Sequence, residues 1–364
     1  MIEVSTPGKL VISGEWGMLW GNPGIIAAVD SRVFCKVEAL AGKFISFNVE
    51  ELGVRDIRFS WNGKSLVIFP LHRTEENKVR FIREAVSTVL NFLFQNGISE
   101  FRPFKITTRG GGRKIGFGFS SASTVSVVMA VLEFYGYKAT KQEIFKLAAI
   151  SHFKAQGMVG SGFDVAAGTF GGVFLYRPFD GKWLRNRLTE NPGLKILVSD
   201  EWPGLEVQAL ADFPGLEILV GWTGQPASTT RMIEAFNQWS GKNEKECREI
   251  FRRISVSVDG LEKAWKDRDK KKIFKSLNAN REALVELGKK ASIPIETENL
   301  RKLAEIASSA GGAGKLSGAG GGDCGIAVSF DRNVSEKIRS EWEKAGIQVM
   351  DVQVDREGVR KEKS

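Results

Sequence analysis

The run from Phe104 to Tyr135 constrains this chain most. It reads as a short strand, Phe104–Thr108, then Arg109-Gly-Gly-Gly-Arg-Lys-Ile-Gly-Phe-Gly-Phe-Ser-Ser-Ala-Ser123, then a helix expected from about Ser121 to Tyr135. A strand, a glycine-rich loop and a helix start are the parts needed to bind phosphate. Glycine lets the backbone approach an anion, and N–H groups at a helix N-terminus point toward it. The hydroxyls of Ser120 and Ser121 can bond phosphate oxygens or reach Mg²⁺. A tight turn with a serine cap would explain one or two glycines, not Gly110, Gly111, Gly112, Gly116 and Gly118 together. Other nucleotide motifs fail. Gly63-Lys64-Ser65 has Arg58 where a P-loop needs its leading glycine. A G-x-G-x-x-G string at Gly320, Gly322 and Gly325 leads into a strand rather than opening a helix. The H-R-D and D-F-G strings of protein kinases are absent.

Three further segments carry clustered glycine. Pro7–Trp16 holds Lys9 beside Gly8 and ahead of a strand. Its ammonium could meet an anionic substrate, although lysines in strands are common. Gly160-Ser161-Gly162-Phe163-Asp164 puts an acid at the start of an apolar helix, ordinarily a partner of the helix dipole. Ser317–Asp323 offers successive backbone amides, the makings of an anion nest.

The remainder bounds the class. A chain of 364 residues exceeds the usual size of one core, so two domains are expected, 1–195 and 196–364, with the junction in the Pro- and Gly-punctuated stretch 191–215. The net charge of +9 suits general solubility or attraction of anionic ligands. No basic module interleaved with aromatics suggests nucleic acid. Cys35, Cys247 and Cys324 form no C-x-x-C pair, which argues against a disulfide scaffold or zinc and fits a reducing cytoplasm. His72 and His152 read as structural. No signal-peptide pattern opens the chain and no apolar run approaches the ~20 residues of a membrane span, so no membrane partner is expected. Strands alternate through 1–70, helices follow at 77–95 and 141–153, and polar amphipathic helices fill 228–309. The charged C-terminal tail is expected to fray.

In this order the segments resemble the GHMP kinase superfamily: Pro7–Glu15 its first motif, Gly116–Ser123 its second, Lys315–Gly322 its third. Ser317–Asp331, Val220–Thr223 with Ala227–Thr230, and Gly160–Val165 with Phe174–Asp180 are most similar to the phosphomevalonate kinase branch. One departure stands in the second motif, where Phe119 intrudes into Gly-Leu-Gly-Ser-Ser. Aligned without a gap, Ser120 takes the second serine position; a one-residue bulge would keep Ser120 and Ser121 together. Ser120 is favoured as the hydroxyl that meets Mg²⁺.

The resemblance implies an α+β, two-domain fold with a mixed-sheet N-terminal domain, a ferredoxin-like C-terminal domain and the active site between them. It implies ATP and Mg²⁺ as cofactors, with Lys9 and Asp164 catalytic. ATP would be held by Gly112, Lys114, Gly116, Gly118, Phe119, Ser120, Ser121, Ala122 and Ser123. The acceptor would meet Lys9, Gly160, Ser161, Ser228, Thr229, Ser317, Gly318, Ala319 and Gly320. That acceptor is expected to be a small phosphorylated molecule, (R)-5-phosphomevalonate, converted to its diphosphate on the mevalonate route to isoprenoids. The alternatives are another acceptor of the superfamily, such as mevalonate or homoserine, and a non-catalytic nucleotide-binding protein on the same scaffold. The oligomeric state stays open between monomer and homodimer.

Overall fold

The computed structural model describes residues 1–110, 116–225 and 229–363, without the side chains of Leu71, Arg73, Thr229 and Thr230. Its first half is built on long strands rich in β-branched residues. Strand β1 (Ile2–Ser13) lies antiparallel to β2 (Gly24–Ala39). Strands β3 (Ile45–Val49), β4 (Val54–Trp61) and β5 (Leu66–Ile68) follow, then helix α1 (Arg80–Gln95) and strand β6 (Phe104–Gly110). The far half of β2 pairs with β6, which pairs in parallel with β3.

Helix α2 (Phe119–Phe134) is buried along most of its length. Its sequence is apolar or small on every side, which only an enclosed helix tolerates. It packs on β1 and β2, beside α3 (Lys141–Ala155) and α4 (Phe163–Phe170). Helix α3 opens with a capping box: Thr140 accepts from the Glu143 N–H and the Glu143 side chain answers to Thr140 N–H. Strand β7 (Val173–Arg177) joins the near half of β2, and after α5 (Gly181–Glu190) and α6 (Leu194–Ser199) strand β8 (Glu206–Leu210) pairs with β7.

The second sheet begins with β9 (Glu217–Trp222). Helices α7 (Thr229–Ser240), α8 (Glu244–Lys266), α9 (Lys270–Ala291) and α10 (Glu298–Ala310) lead to β10 (Ala313–Ser317), β11 (Cys324–Ser329), α11 (Arg332–Lys344) and β12 (Gln348–Met350). Its order is β10-β11-β9-β12, antiparallel throughout. One face is covered by α10 and α11 through Leu303, Ala307, Ile338 and Trp342. The other, with Val220, Ile326 and Val328, shares a core with Leu10, Ile12, Ile25 and Ala27 of the first sheet and with Val258, Leu261 and Trp265 of α8.

The segments beyond residue 195 do not stay apart from the first sheet. Strand β8 belongs to it, and so does the final strand β13 (Arg360–Lys361), paired with β1. The tail therefore does not fray as its charge suggested. Arg32 and Asp355 form a buried ion pair, each side chain 7% exposed. Gly172 N–H donates to Asp355 O at 2.6 Å, and Arg32 also donates to Gly358 O at 2.6 Å. A buried guanidinium needs several acceptors, and the tail supplies two of them.

Candidate active site

Four glycine clusters meet at one place. The second begins it. Gly118 adopts a left-handed conformation (φ 79°, ψ 45°) and caps α2, so the helix starts at Phe119, two residues earlier than expected. Ala122 N–H closes the first turn on Gly118 O at 3.0 Å. The N–H groups of Phe119, Ser120 and Ser121 are thus the open donors of a helix N-terminus. Phe119 fits the helix as its first residue, with no extra residue bulged out. The serines then diverge. Ser121 is 1% exposed and its hydroxyl donates to Gly118 O at 2.7 Å. Ala122 and Ser123 are also buried. Ser120 stays partly exposed, with its Oγ 3.4 Å from His152 Nε2.

Lys9 comes from the middle of β1. Its backbone N–H donates to Phe117 O at 2.9 Å and its Nζ to Gly116 O at 2.8 Å. The ammonium also stands 5.9 Å from the centre of the Phe163 ring, within cation–π range. Among the described residues it pairs with no carboxylate within 4.0 Å. Burial presses its pKa below the ordinary lysine value, with Asp164 the chief opposing charge.

Asp164 sits in the first turn of α4, behind Gly162 in a left-handed cap (φ 78°). One carboxylate oxygen accepts from Val165 N–H at 3.0 Å; the other is 3.9 Å from His152 Nε2. Ser161 just ahead is 5% exposed, and its hydroxyl has no partner among the described residues. Its carbonyl accepts from the buried Tyr176 hydroxyl at 2.6 Å.

The Ser317–Asp323 cluster closes the opposite wall and is docked on the N-terminal segment. Lys315 and Glu15 form an ion pair with both side chains 1% exposed. Ser317 Oγ accepts from Val11 N–H and donates to Val11 O, both at 3.0 Å, so its hydroxyl is engaged in joining the two sheets. The Trp16 indole donates to Ala319 O at 3.0 Å. Gly318 borders Lys9: a Cβ built on it would stand 3.8 Å from Nζ. Gly320 faces away, against Ile295, where a Cβ would come within 2.0 Å of the carbonyl oxygen. Two amides of the expected nest, Gly321 and Asp323, already donate to Ile295 O and Gln225 O. Asp323 reaches the second loop, where a Cβ on Gly116 would be 3.2 Å from its own Cβ.

The structure thus brings Lys9, Gly116, Gly118, Ser120, Ser161, Asp164 and Gly318 around one space. Gly160 lies at the rim of the Asp164 turn with φ 119°. Gly112, Lys114 and Ser228, and the Thr229 side chain, lie outside the described residues. His152, read from the sequence as structural, and Asp323, read only as the end of the glycine nest, both border this space. His152 carries no local signal, because its neighbours Ser120 and Asp164 come from other helices.

Two family models match the chain: GHMP kinases N terminal domain over residues 80–172 and GHMP kinases C terminal over 261–348. A phosphomevalonate kinase of Streptomyces sp. (strain CL190) is 30% identical over 353 residues, 94% of each chain. A mevalonate kinase of Pyrococcus furiosus is 26% identical over 371 residues, 99% of this chain and 98% of the relative. The solved structure of Streptococcus pneumoniae phosphomevalonate kinase in complex with phosphomevalonate and AMPPNP superposes with a TM-score of 0.82 at 26% identity, covering 97% of this chain and 100% of that one. The chain belongs to the GHMP kinase family and is an ATP-dependent phosphotransferase.

Proposed function

We propose that this chain is a phosphomevalonate kinase: it transfers the γ-phosphoryl group of ATP to (R)-5-phosphomevalonate and releases ADP, on the mevalonate route to isoprenoids. The observation that carries the reading is the Lys9 ammonium. It stands at the meeting point of the clusters, bonded only to a carbonyl among the described residues, so its charge is available to an anion. The phosphomevalonate kinase relatives supply the acceptor.

Phosphoryl transfer needs alignment and charge neutralisation more than covalent help. The open amides of α2 and the Ser120 hydroxyl hold the ATP phosphates. Lys9 neutralises the acceptor and the charge that develops during transfer. A phosphate monoester has its second pKa near ~6, so this acceptor arrives largely ionised. Asp164 then chiefly positions Lys9 and the acceptor rather than taking a proton. Mg²⁺ takes oxygen donors. Ser120 offers one, and among the described residues no cluster of three or more His, Cys, Asp or Glu could hold a metal alone. That set fits an ion carried by ATP, whose chemistry is to neutralise phosphate charge. In this reading residues 1–195 carry the ATP side and 196–364 supply the wall that closes on the acceptor. Among the described residues no helix is long and apolar enough to cross a membrane and none of the cysteines forms a disulfide, which suits a cytoplasmic enzyme.

The mevalonate kinase relative favours a second reading, with an alcohol acceptor and Asp164 as its base. ADP release measured over a panel of phosphomevalonate, mevalonate and homoserine separates the two. Phosphomevalonate should win by roughly 100-fold or more in kcat/KM, about 3 kcal/mol. Preference for mevalonate would transfer the assignment to the second reading.

A further inference from the structure

His152 lies in the last full turn of α3, against the phosphate loop. It is 4% exposed, and its ring stacks on Phe81 of α1 with centroids 4.9 Å apart and planes 29° from parallel. Burial and the stack on Phe81 restrict where its nitrogen edge points. Nε2 points at Ser120 Oγ, 3.4 Å away, and stands 3.9 Å from Asp164 Oδ2. Among the described residues, no other side chain comes within hydrogen-bond range of the Ser120 hydroxyl.

Packing alone does not call for histidine. A phenylalanine would stack on Phe81 as well and bury no polar nitrogen. A buried polar group without a partner costs about 1–3 kcal/mol, so the imidazole must recover that through a neighbour. Its two polar neighbours at Nε2 belong to the α2 and α4 starts, which carry the phosphate-binding and acidic segments. Burial lowers the imidazole pKa, against the opposing pull of Asp164 and with the help of Arg80.

We infer that His152 is a positioning residue whose Nε2 holds the Ser120 hydroxyl toward the phosphate-binding face, in register with Asp164. The inference rests on the reading of Ser120 as the hydroxyl that meets ATP and its metal. Without the imidazole nitrogen, a serine hydroxyl distributes over three staggered rotamers. Apparent affinity then falls with the competent fraction, about threefold to tenfold.

The test is calorimetric binding of ATP, with Mg²⁺ and with chelator, to the wild type, Ser120→Ala, His152→Phe, His152→Gln, His152→Asn and the Ser120→Ala/His152→Phe double variant. Phenylalanine keeps the stack and removes the nitrogen. Glutamine places an amide at the reach of Nε2, and asparagine only at that of Nδ1. We expect His152→Phe to weaken Mg²⁺–ATP about threefold to tenfold and metal-free ATP far less. Glutamine should restore most of the loss and asparagine little. The double variant should bind no worse than Ser120→Ala alone, since the two act as one unit. Normal Mg²⁺–ATP binding by His152→Phe, or additive losses in the double variant, would overturn the inference while Ser120→Ala still loses affinity. If Ser120→Ala binds normally, the underlying reading of Ser120 fails instead. Should His152→Phe fold poorly by its Tm, the glutamine and asparagine variants decide, and equal affinity in those two overturns the proposal.

Discussion

Lys9 and Lys315 make an instructive pair. Both stand on strands that carry a glycine motif, β1 and β10, and burial lowers both pKa values below the ordinary lysine range. Lys315 is 1% exposed, ion-paired with Glu15, and donates to Leu316 O at 2.8 Å. Its charge is balanced within the protein. Lys9 donates to a single carbonyl and faces Asp164 from beyond ion-pair distance. The first lysine fastens the third motif to the N-terminal segment. In the proposed reading the second keeps its charge for an anionic ligand. A cation in a recess is therefore a candidate for catalysis when no carboxylate is bonded to it, not merely when it is buried.

The sharpest way to break that contrast is to remove each amine. Lys9→Ala should cut turnover with ATP and phosphomevalonate by roughly 10⁴-fold, as loss of a charge-stabilising cation does in phosphoryl transfer, with little change in Tm. Asp164→Asn should cost less, because an ionised acceptor needs no base. Unchanged turnover in Lys9→Ala would end its assignment. Lys315→Ala should do the reverse. Leaving Glu15 buried without its partner should lower unfolding free energy by about 3–5 kcal/mol in denaturant titrations. The Glu15→Gln/Lys315→Met double variant should recover much of that loss. If Lys315→Ala were as stable as the wild type, the fastening role would be wrong.

The neighbouring serines give a smaller contrast of the same kind. Ser120→Ala should raise the KM for MgATP by about tenfold, the worth of a hydrogen bond to a charged group. Ser121→Ala removes only its bond to Gly118 O and should cost about 1 kcal/mol of stability, leaving KM near wild type. Equal KM effects would mean that both hydroxyls reach the nucleotide. The smallest effect is in the pH profile. Catalysis needs Lys9 charged, so kcat/KM should fall as pH rises through its lowered pKa. Asp164 is the main influence holding that pKa up. Asp164→Asn should therefore move the alkaline limb to still lower pH, and a limb that moved upward would contradict the geometry.

Much of the site was legible along the chain because its backbone chemistry is local. The loop before α2 needs glycine to adopt φ 79° at Gly118, and such needs leave a mark on the sequence wherever they occur. Lys9, Asp164 and Ser317 stood out for the same reason, each within two residues of a glycine. His152 did not, since its contact with Ser120 joins helices 32 residues apart and no residue near it in sequence betrays the partner. Nor did the Arg32–Asp355 clasp, whose members are 323 residues apart and turn a tail that reads as solvated into a strand and a buried ion pair. The start of α2 was placed two residues late because Phe119 reads as an intruder, whereas the left-handed Gly118 makes it the first helical residue.

By itself the sequence determined the order of the glycine clusters and that a helix opens just after one of them. Those follow from dihedral freedom and unpaired amides, properties a few adjacent residues possess alone. Only the tertiary structure decided which lysine is ion-paired and which is not, which serine stays partly exposed at the start of α2, and that a histidine stands beside it. Charge balance, exposure and the direction of a ring depend on what is packed against a residue, and here those neighbours arrive from distant parts of the chain.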